Sequence, residues 1–369
     1  MKAVGIILAG TKKSRLEVLA SHRNSAAMPV GGSYRVIDFA LTNFSYSGVK
    51  TIALISQYNT RSLADHVSSS KWWNLGRKNS GIYLFTPDML NSDTLSFKGT
   101  ADAIYQNIEF LKKSSEKYVI ISPSDHIMRI DYREVLKYHV EKKADITVVY
   151  KNMPEIDARN YGTLELDEQY RLTDFEEKPL EPQTTNISLG IYVIARELLI
   201  KLLEDLANEG RTSIADDIIT RYRKKLRIYG YKFEGYWQAL KDIDSLYATN
   251  LDFLNPDMRD EIFEKYSYVL TKAKDDPPVK YSQGCNVKNS ILNGGDVING
   301  TVHDSVLSRK VFIGEGSYIK NAIIMEGCTI GKGTVVENAI LDKSVTIGDG
   351  KQIIGTPDNI KVIPKGQII

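Results

Sequence analysis

The sequence predicts an α/β protein: a mostly parallel sheet covered by helices, followed by a parallel β-solenoid. Three observations predict it. Short apolar strands alternate with helical stretches up to about residue 250. A run with two prolines, Asp275-Asp276-Pro277-Pro278, then breaks the alternation. From residue 311 the chain repeats itself at a period of seventeen residues. A length of 369 residues suits two domains, each with ample core.

The first strand, residues 4–8, runs into Ala9-Gly10 and the polar turn Thr11-Lys12-Lys13-Ser14-Arg15. A glycine turn after the first strand of an α/β domain usually cradles a phosphate, because bare backbone N–H groups can approach the anion. Such loops rely on several glycines. This one has Gly10 and then two lysines, which leaves open whether it binds nucleotide. VGGSYRVIDFALTN (30–43) carries a Gly-Gly turn, then Arg35 and Asp38 ahead of a helix, and these two charges are expected to pair. The next strand is 51–56. In GTADAIYQN (99–107), Gly99 and Thr100 open a helix expected over 100–115, with Thr100 as its cap and Asp102 in its first turn. Gly99 would also let a flat base or ribose approach the backbone.

The strand 118–122 leads into SPSDHIM (122–128), which projects Asp125 at the C-terminal edge of the sheet. A carboxylate there suits Mg²⁺ held against nucleotide phosphates, or else an Asx turn or helix cap. His126 fits a structural role. A helix over 132–143 and a strand over 146–150 follow. YGTLELDEQYRLTDFEEKP (161–179) reads as a hairpin ending in Glu176-Glu177-Lys178-Pro179. A carboxylate beside a lysine suits sugar hydroxyls and a phosphate together. SLGIYVI (188–194) is a strand with Gly190 inside it, a mark of close approach by a ligand or another backbone. Ligands in such sheets sit beyond the C-terminal strand ends, so the loops after Leu8, Ser56 and Ser122 are where chemistry is expected.

The repeat reads VFIGEGSYIKNAIIMEG (311–327), CTIGKGTVVENAILDKS (328–344) and VTIGDGKQIIG from 345. Ile313-Gly314, Ile330-Gly331 and Ile347-Gly348 fall in one column. Val302, Ile319 and Val336 form a second, Val306, Ile323 and Ile340 a third, and Leu307, Ile324 and Leu341 a fourth. Four aligned columns favour a solenoid over an irregular β-sandwich. So short a solenoid has exposed ends that need covering, which predicts self-association.

Composition narrows the function. With 42% hydrophobic and 25% charged residues the chain is an ordinary soluble globular protein. A net charge of +2 gives no argument for nucleic acid or an anionic membrane. No apolar run approaches the roughly 20 residues of a bilayer span, and the first residues read as strand and loop rather than a signal peptide. Cys285 and Cys328 sit among strand residues, which fits buried thiols in a reducing cytoplasm rather than a disulfide. Five histidines without paired spacing argue against zinc.

Taken together, GGSYRVIDFALTN, ISQYNTRSL, GTADAIYQN, SDHI, FEEKP, SLGIYV, GYW with TNLDFL and the solenoid resemble the bacterial ADP-glucose pyrophosphorylases (glucose-1-phosphate adenylyltransferases) of glycogen synthesis. The resemblance spans nearly the whole chain. It implies a Rossmann-like nucleotidyltransferase domain over 1–255, a linker over 256–280 and a left-handed β-helix of hexapeptide repeats over 281–369. It also implies homo- or heterotetramers, and a reaction in which ATP and glucose 1-phosphate, with Mg²⁺, give ADP-glucose and pyrophosphate. Catalysis of that kind is mostly positioning and charge neutralisation. The positions that match the family are Gly10, Gln57, Gly99 and Thr100 on the nucleotide side, and Tyr161, Gly162, Glu177, Lys178, Ser188 and Gly190 on the sugar-phosphate side. Asp125 and Arg15 match its catalytic positions, with Asp125 a lone metal carboxylate.

Three departures accompany these matches. The family's nucleotide loop reads L-A-G-G-x-G-T-R-L, and its second and third glycines fall on Thr11 and Lys13. Its phosphate-binding lysine, in R-A-K-P-A, falls on Ser25. Its metal-binding aspartate, in Y-W-R-D-V-G-T, falls on Ala239 in Tyr236-Trp237-Gln238-Ala239-Leu240-Lys241-Asp242. Loss of one such cation from a phosphate transition state can cost several kcal/mol. All three losses strike ATP and pyrophosphate chemistry, while the sugar side stands. The resemblance is therefore to the regulatory, D-type subunit that accompanies a catalytic C-type subunit. The expected partner is that catalytic subunit, with a sugar phosphate or an anionic effector as a further ligand. The other readings are an active transferase rescued by Asp242 and Lys12 or Lys13, a sugar-phosphate sensor, and a β-helix acyltransferase. For the last, the repeats offer only His303 as a base.

Overall fold

The computed structural model describes residues 2–10, 15–76, 80–87 and 96–369. The N-terminal region is built on one nine-stranded sheet. Ala3–Ala9, the first apolar run, lies at its centre, flanked in parallel by Thr51–Ser56 and Tyr118–Pro123. Both neighbours are buried on both faces, as continuous apolar strands of a helix-covered sheet should be. Gly81–Phe85 extends the parallel part beyond Thr51–Ser56. On the other side Asn186–Ala195 runs antiparallel to Tyr118–Pro123 and to Ile146–Asn152. Ile228–Lys232 then pairs in parallel with Ile146–Asn152. The hairpin expected over 161–179 forms from Gly162–Leu166 and Leu172–Glu177. The sheet is thus parallel where the first strands cross over through helices and antiparallel where the chain folds back on itself.

Asn186–Ala195 contains a bulge between Ser188 and Ile191. Gly190 sits there with φ +65°, a backbone region that side-chain-bearing residues avoid. The helix expected over 100–115 is two helices, Thr100–Tyr105 and Ile108–Lys113. The break falls at Gln106 and Asn107, where the Asn107 side-chain amide donates to the Ala103 carbonyl at 2.9 Å and so competes with the helix ladder. Thr100 does not cap it. Its hydroxyl accepts instead from the Ile214 N–H at 2.9 Å, and Gly99 holds the cap position. Arg35 and Asp38 are bonded, but through the Arg35 backbone N–H at 2.8 Å rather than through opposed charges. The Asp38 carboxylate also meets His66 Nε2 and the Thr271 hydroxyl, each at 2.7 Å, while the Arg35 guanidinium donates to the Ala27 carbonyl.

The C-terminal region is a parallel β-helix with the register that the repeat dictates. Ile313 pairs with Ile330 and Ile330 with Ile347. Val302, Ile319 and Val336 align, as do Val306, Ile323 and Ile340, and Leu307, Ile324 and Leu341. The Ile313, Val302 and Leu307 columns are the buried interior of the coils, whereas Ile323 and Ile340 of the third column pack against the sheet region. Their corners also repeat: Asp304, Asn321 and Asn338 each take a positive φ of 46–48°. Asparagine and aspartate tolerate that region because their short polar side chains bond locally. Asn321 donates to Asn338 at 3.3 Å and Asn338 to the Gly355 carbonyl at 3.2 Å, a ladder along one edge. Cys328 is buried, with its thiol donating to the Asp342 carbonyl, and both cysteines are free.

The stretch expected as a linker carries its own helix, Pro256–Phe263, opened by an Asn255 cap and Pro256. Ile262 and Val269 from this stretch join a core with Phe39 and Phe253, and with Ile323, Met325 and Ile340 of the β-helix. An ion pair crosses the same boundary: Arg23 Nη2 lies 2.6 and 2.8 Å from the two Asp342 oxygens, with both side chains buried. The Gly-Gly turn belongs to this junction. A Cβ on Gly32 would sit 2.0 Å from Asn293 Nδ2 and 2.8 Å from the Leu307 carbonyl oxygen, so the missing side chain is what seats the β-helix.

Candidate active site

A cleft of about 720 Å³ opens at the C-terminal ends of Ala3–Ala9 and Tyr118–Pro123, where the parallel topology leads ligands to be sought. It gathers Gly10, Gln57, Gly99, Thr100, Asp125, Tyr161, Gly162, Glu177, Lys178, Ser188 and Gly190 from seven separate stretches of chain. Gln57 braces the part of the cleft that the resemblance assigns to the nucleotide: its Oε1 accepts from the Phe97 N–H at 2.7 Å. Gly99 is a glycine for another reason than ligand approach. A Cβ there would lie 2.4 Å from the Thr212 carbonyl oxygen, the atom that accepts the Ala101 N–H at 2.7 Å. Its bareness lets the 212–214 loop close onto the helix start.

The part of the cleft that the resemblance assigns to the sugar phosphate is organised around Glu177. Gly162 lies across the hairpin from it, and a Cβ on Gly162 would stand 2.8 Å from Glu177 Oε2. Burial raises the Glu177 carboxyl pKa, and the Lys178 ammonium, 3.5 Å away, pulls it back down. Lys178 holds a left-handed φ of 53° and its N–H donates to the Tyr161 carbonyl at 3.0 Å, which turns the chain at the cleft rim. The Ser188 hydroxyl accepts from the Gly190 N–H at 3.2 Å within the bulge.

Asp125 projects from the loop between Tyr118–Pro123 and the short strand His126–Met128. That strand pairs antiparallel with Trp237–Ala239 in the register Ala239 to His126, and the Leu240 N–H donates to the Asp125 carbonyl at 2.9 Å. The position of the missing aspartate is therefore fixed beside Asp125. It holds a methyl group that is 1% exposed. His126 is structural: the Trp237 indole donates to its Nδ1 at 3.2 Å, and burial pushes its pKa down to about 4, so the ring is neutral. Asp242 caps the helix Ile243–Asp252, its Oδ1 accepting from the Ser245 N–H at 2.9 Å.

Three residues singled out from the sequence lie outside the cleft lining. Arg15 is exposed and forms a backbone bridge with Asp242. Ser25 opens the short turn Ser25–Ala27, whose Asn24 cap is bonded to Ala9, Ser56 and Tyr58. Ala239 is the third. Thr11 and Lys13 lie outside the described residues.

The cleft also contains Lys241. Its ammonium lies 3.2 Å from the centroid of the Tyr161 ring and donates to the Asn160 carbonyl at 2.9 Å. Burial lowers its pKa to about 8, against the pull of Asp125 and with a further push from Lys178. The sequence carries this lysine in plain sight, but no spacing rule connects it to a carbonyl 81 positions earlier. The Thr212 loop and Asp216 reach the cleft in the same way, the first from the turn ahead of Ala215–Thr220 and the second from its first turn.

The donor set does not fit a resident Mg²⁺. Among the described residues no three histidine, cysteine or acidic side chains group to hold a metal. Asp125 has no second carboxylate at position 239, and an ammonium shares the space. A second, smaller cavity lies between the two regions, lined by Arg35, Lys272, Lys274, Arg309 and Lys343 with Glu326 among them. Burial works against the Glu326 carboxylate, but bonds from Lys274 at 2.6 Å and Lys343 at 2.7 Å outweigh it and hold its pKa near 2.

A parallel-dominated sheet with a cleft at its strand ends, joined to a β-helix, is the architecture of a nucleotidyl transferase with a hexapeptide-repeat domain. The Nucleotidyl transferase family model matches residues 4–255, and that of the GlmU-like C-terminal hexapeptide matches residues 277–359. The chain is 34% identical over 322 residues to the glucose-1-phosphate adenylyltransferase of Geobacillus stearothermophilus, covering 86% of this chain and 83% of the relative. It is 36% identical over 326 residues to that of Fervidobacterium nodosum, covering 87% and 78%. For that of Thermosipho melanesiensis the identity is 37% over 319 residues, covering 86% and 77%. The chain belongs to the glucose-1-phosphate adenylyltransferase family. No helix among the described residues is long and apolar enough to cross a membrane.

Proposed function

We propose that this chain is a regulatory, catalytically degenerate subunit of a cytoplasmic glucose-1-phosphate adenylyltransferase, assembled with itself and with a catalytic subunit in a heterotetramer for glycogen synthesis. The observation that carries this reading is the buried alanine at position 239, held in register beside His126 and next to the lone carboxylate of Asp125. A site so built keeps its sugar side, Glu177, Lys178, Ser188 and Gly190, and lacks the charge pair that the family reaction places on metal and pyrophosphate. The alternative, an active transferase with Asp242 as substitute ligand, must break the cap that Asp242 makes on Ser245. The basic cavity between the two regions supports a regulatory role, since its lysines and arginines outnumber Glu326 and suit an anionic effector. An effector there would bias subunit contacts, and the coupling would be reciprocal in binding free energy.

The test is ADP-glucose synthesis by three samples: this chain alone, the catalytic subunit of the same organism alone, and the two mixed. Silence alone, with an altered rate or substrate affinity in the mixture, is the expected result. Robust turnover by the chain alone would overturn the proposal.

A further inference from the structure

Lys241 is held more firmly than a surface lysine. The residue before it is tied to the Asp125 loop through the Leu240 N–H, and its own N–H donates to the Ser245 hydroxyl at 3.1 Å. The backbone is thus anchored at the start of the helix Ile243–Asp252. The side chain lies against the Tyr161 ring, and its ammonium is fixed by the Asn160 carbonyl. An ammonium has three donors. The Asn160 bond takes one, and the ring face receives charge rather than a hydrogen bond. The remaining donors face a cleft lined by Asp125, Glu177 and Lys178.

Carboxylates in a cleft repel a phosphate unless a cation intervenes. A divalent ion normally does this, and among the described residues the ligand set for one is missing while a fixed positive charge stands in the same space. A second cation placed beside Lys241 would meet like charge at short range in a partly dry site. We propose that the Lys241 ammonium, with Lys178 at the rim, takes the place of a divalent ion in this cleft, and that the chain binds a sugar phosphate through it without a divalent metal. This deepens the regulatory reading and rests on it: a subunit relieved of turnover still senses the sugar phosphate, and does so independently of Mg²⁺.

The experiment is calorimetric titration of glucose 1-phosphate, and separately of ADP-glucose, into the full chain alone. Each is done in EDTA and in excess Mg²⁺. The expected result is binding of at least one ligand with dissociation constants that agree within about twofold between the two conditions. Lys241→Met keeps the stem on Tyr161 and removes the charge. It should weaken binding about ten- to hundredfold, the usual loss for a hydrogen bond to a charged group. Binding that disappears in EDTA, no binding in either condition, or an unchanged affinity in a folded Lys241→Met chain would each overturn the proposal. The comparison of EDTA with Mg²⁺ uses the unsubstituted chain, so it stands even if the variant fails to fold. Metal-free binding with no effect on the catalytic subunit would instead refute the regulatory reading and leave this one intact.

Discussion

The junction between the sheet region and the β-helix offers the sharpest test of the structure's energetics. Arg23 and Asp342 are 319 positions apart, yet their side chains are 6% and 2% exposed and joined by two bonds of 2.6 and 2.8 Å. Around them lie Met325 and Met28, with sulfurs 3.5 and 4.0 Å from Arg23 Nη1, so water offers little substitute. Arg23→Met leaves the Asp342 carboxylate buried without its cation, and Asp342→Leu leaves the guanidinium likewise. Each should cost about 3–5 kcal/mol, since desolvation of the orphaned charge is no longer offset. The double variant should recover most of that loss, because an apolar pair of similar volume is often as stable as a buried ion pair. Urea unfolding followed by circular dichroism measures all three, and the cycle gives the coupling. Single variants that each lose less than about 1 kcal/mol would place the pair among solvent-exposed salt bridges. The reasoning that the junction is dry would then be wrong.

Other variants probe the site and its supports. Gly99→Ala puts a methyl 2.4 Å from the Thr212 carbonyl oxygen and should cost about 1–3 kcal/mol in thermal unfolding, as overpacking does; a neutral outcome would mean that the loop yields freely. Asp242→Ala removes the cap of Ile243–Asp252 and should cost about 1 kcal/mol of stability; an unchanged melting temperature would refute the capping role. Glu326 is held near a pKa of 2 by Lys274 and Lys343 despite burial, so its contribution is present above the unfolded carboxylate range and lost as pH falls toward 2. Glu326→Gln should therefore melt below the unsubstituted chain at neutral pH, with the two curves converging in acid; a gap that stays constant with pH would refute this assignment.

The sequence by itself determined what is local and periodic. Residues seventeen apart stack because each coil of the β-helix is one repeat, so the Ile313, Ile330, Ile347 column was legible as soon as the period was. The apolar runs that became Ala3–Ala9, Thr51–Ser56 and Tyr118–Pro123 were equally legible, and parallel topology then brought Gly10 and Asp125 to one edge, where the antiparallel strands add Glu177 and Gly190. The tertiary structure decided the rest, because those outcomes depend on atoms distant in the chain. Gly99 looks like a ligand glycine in isolation and Gly32 like part of a turn, and only the approach of Thr212 and Asn293 shows that each makes room for protein. Ala239 reads as a loss from the sequence alone. Lys241, drawn over Tyr161 to the carbonyl of Asn160, gains its meaning only from the fold, since a charge acts through space on whatever the chain brings near it.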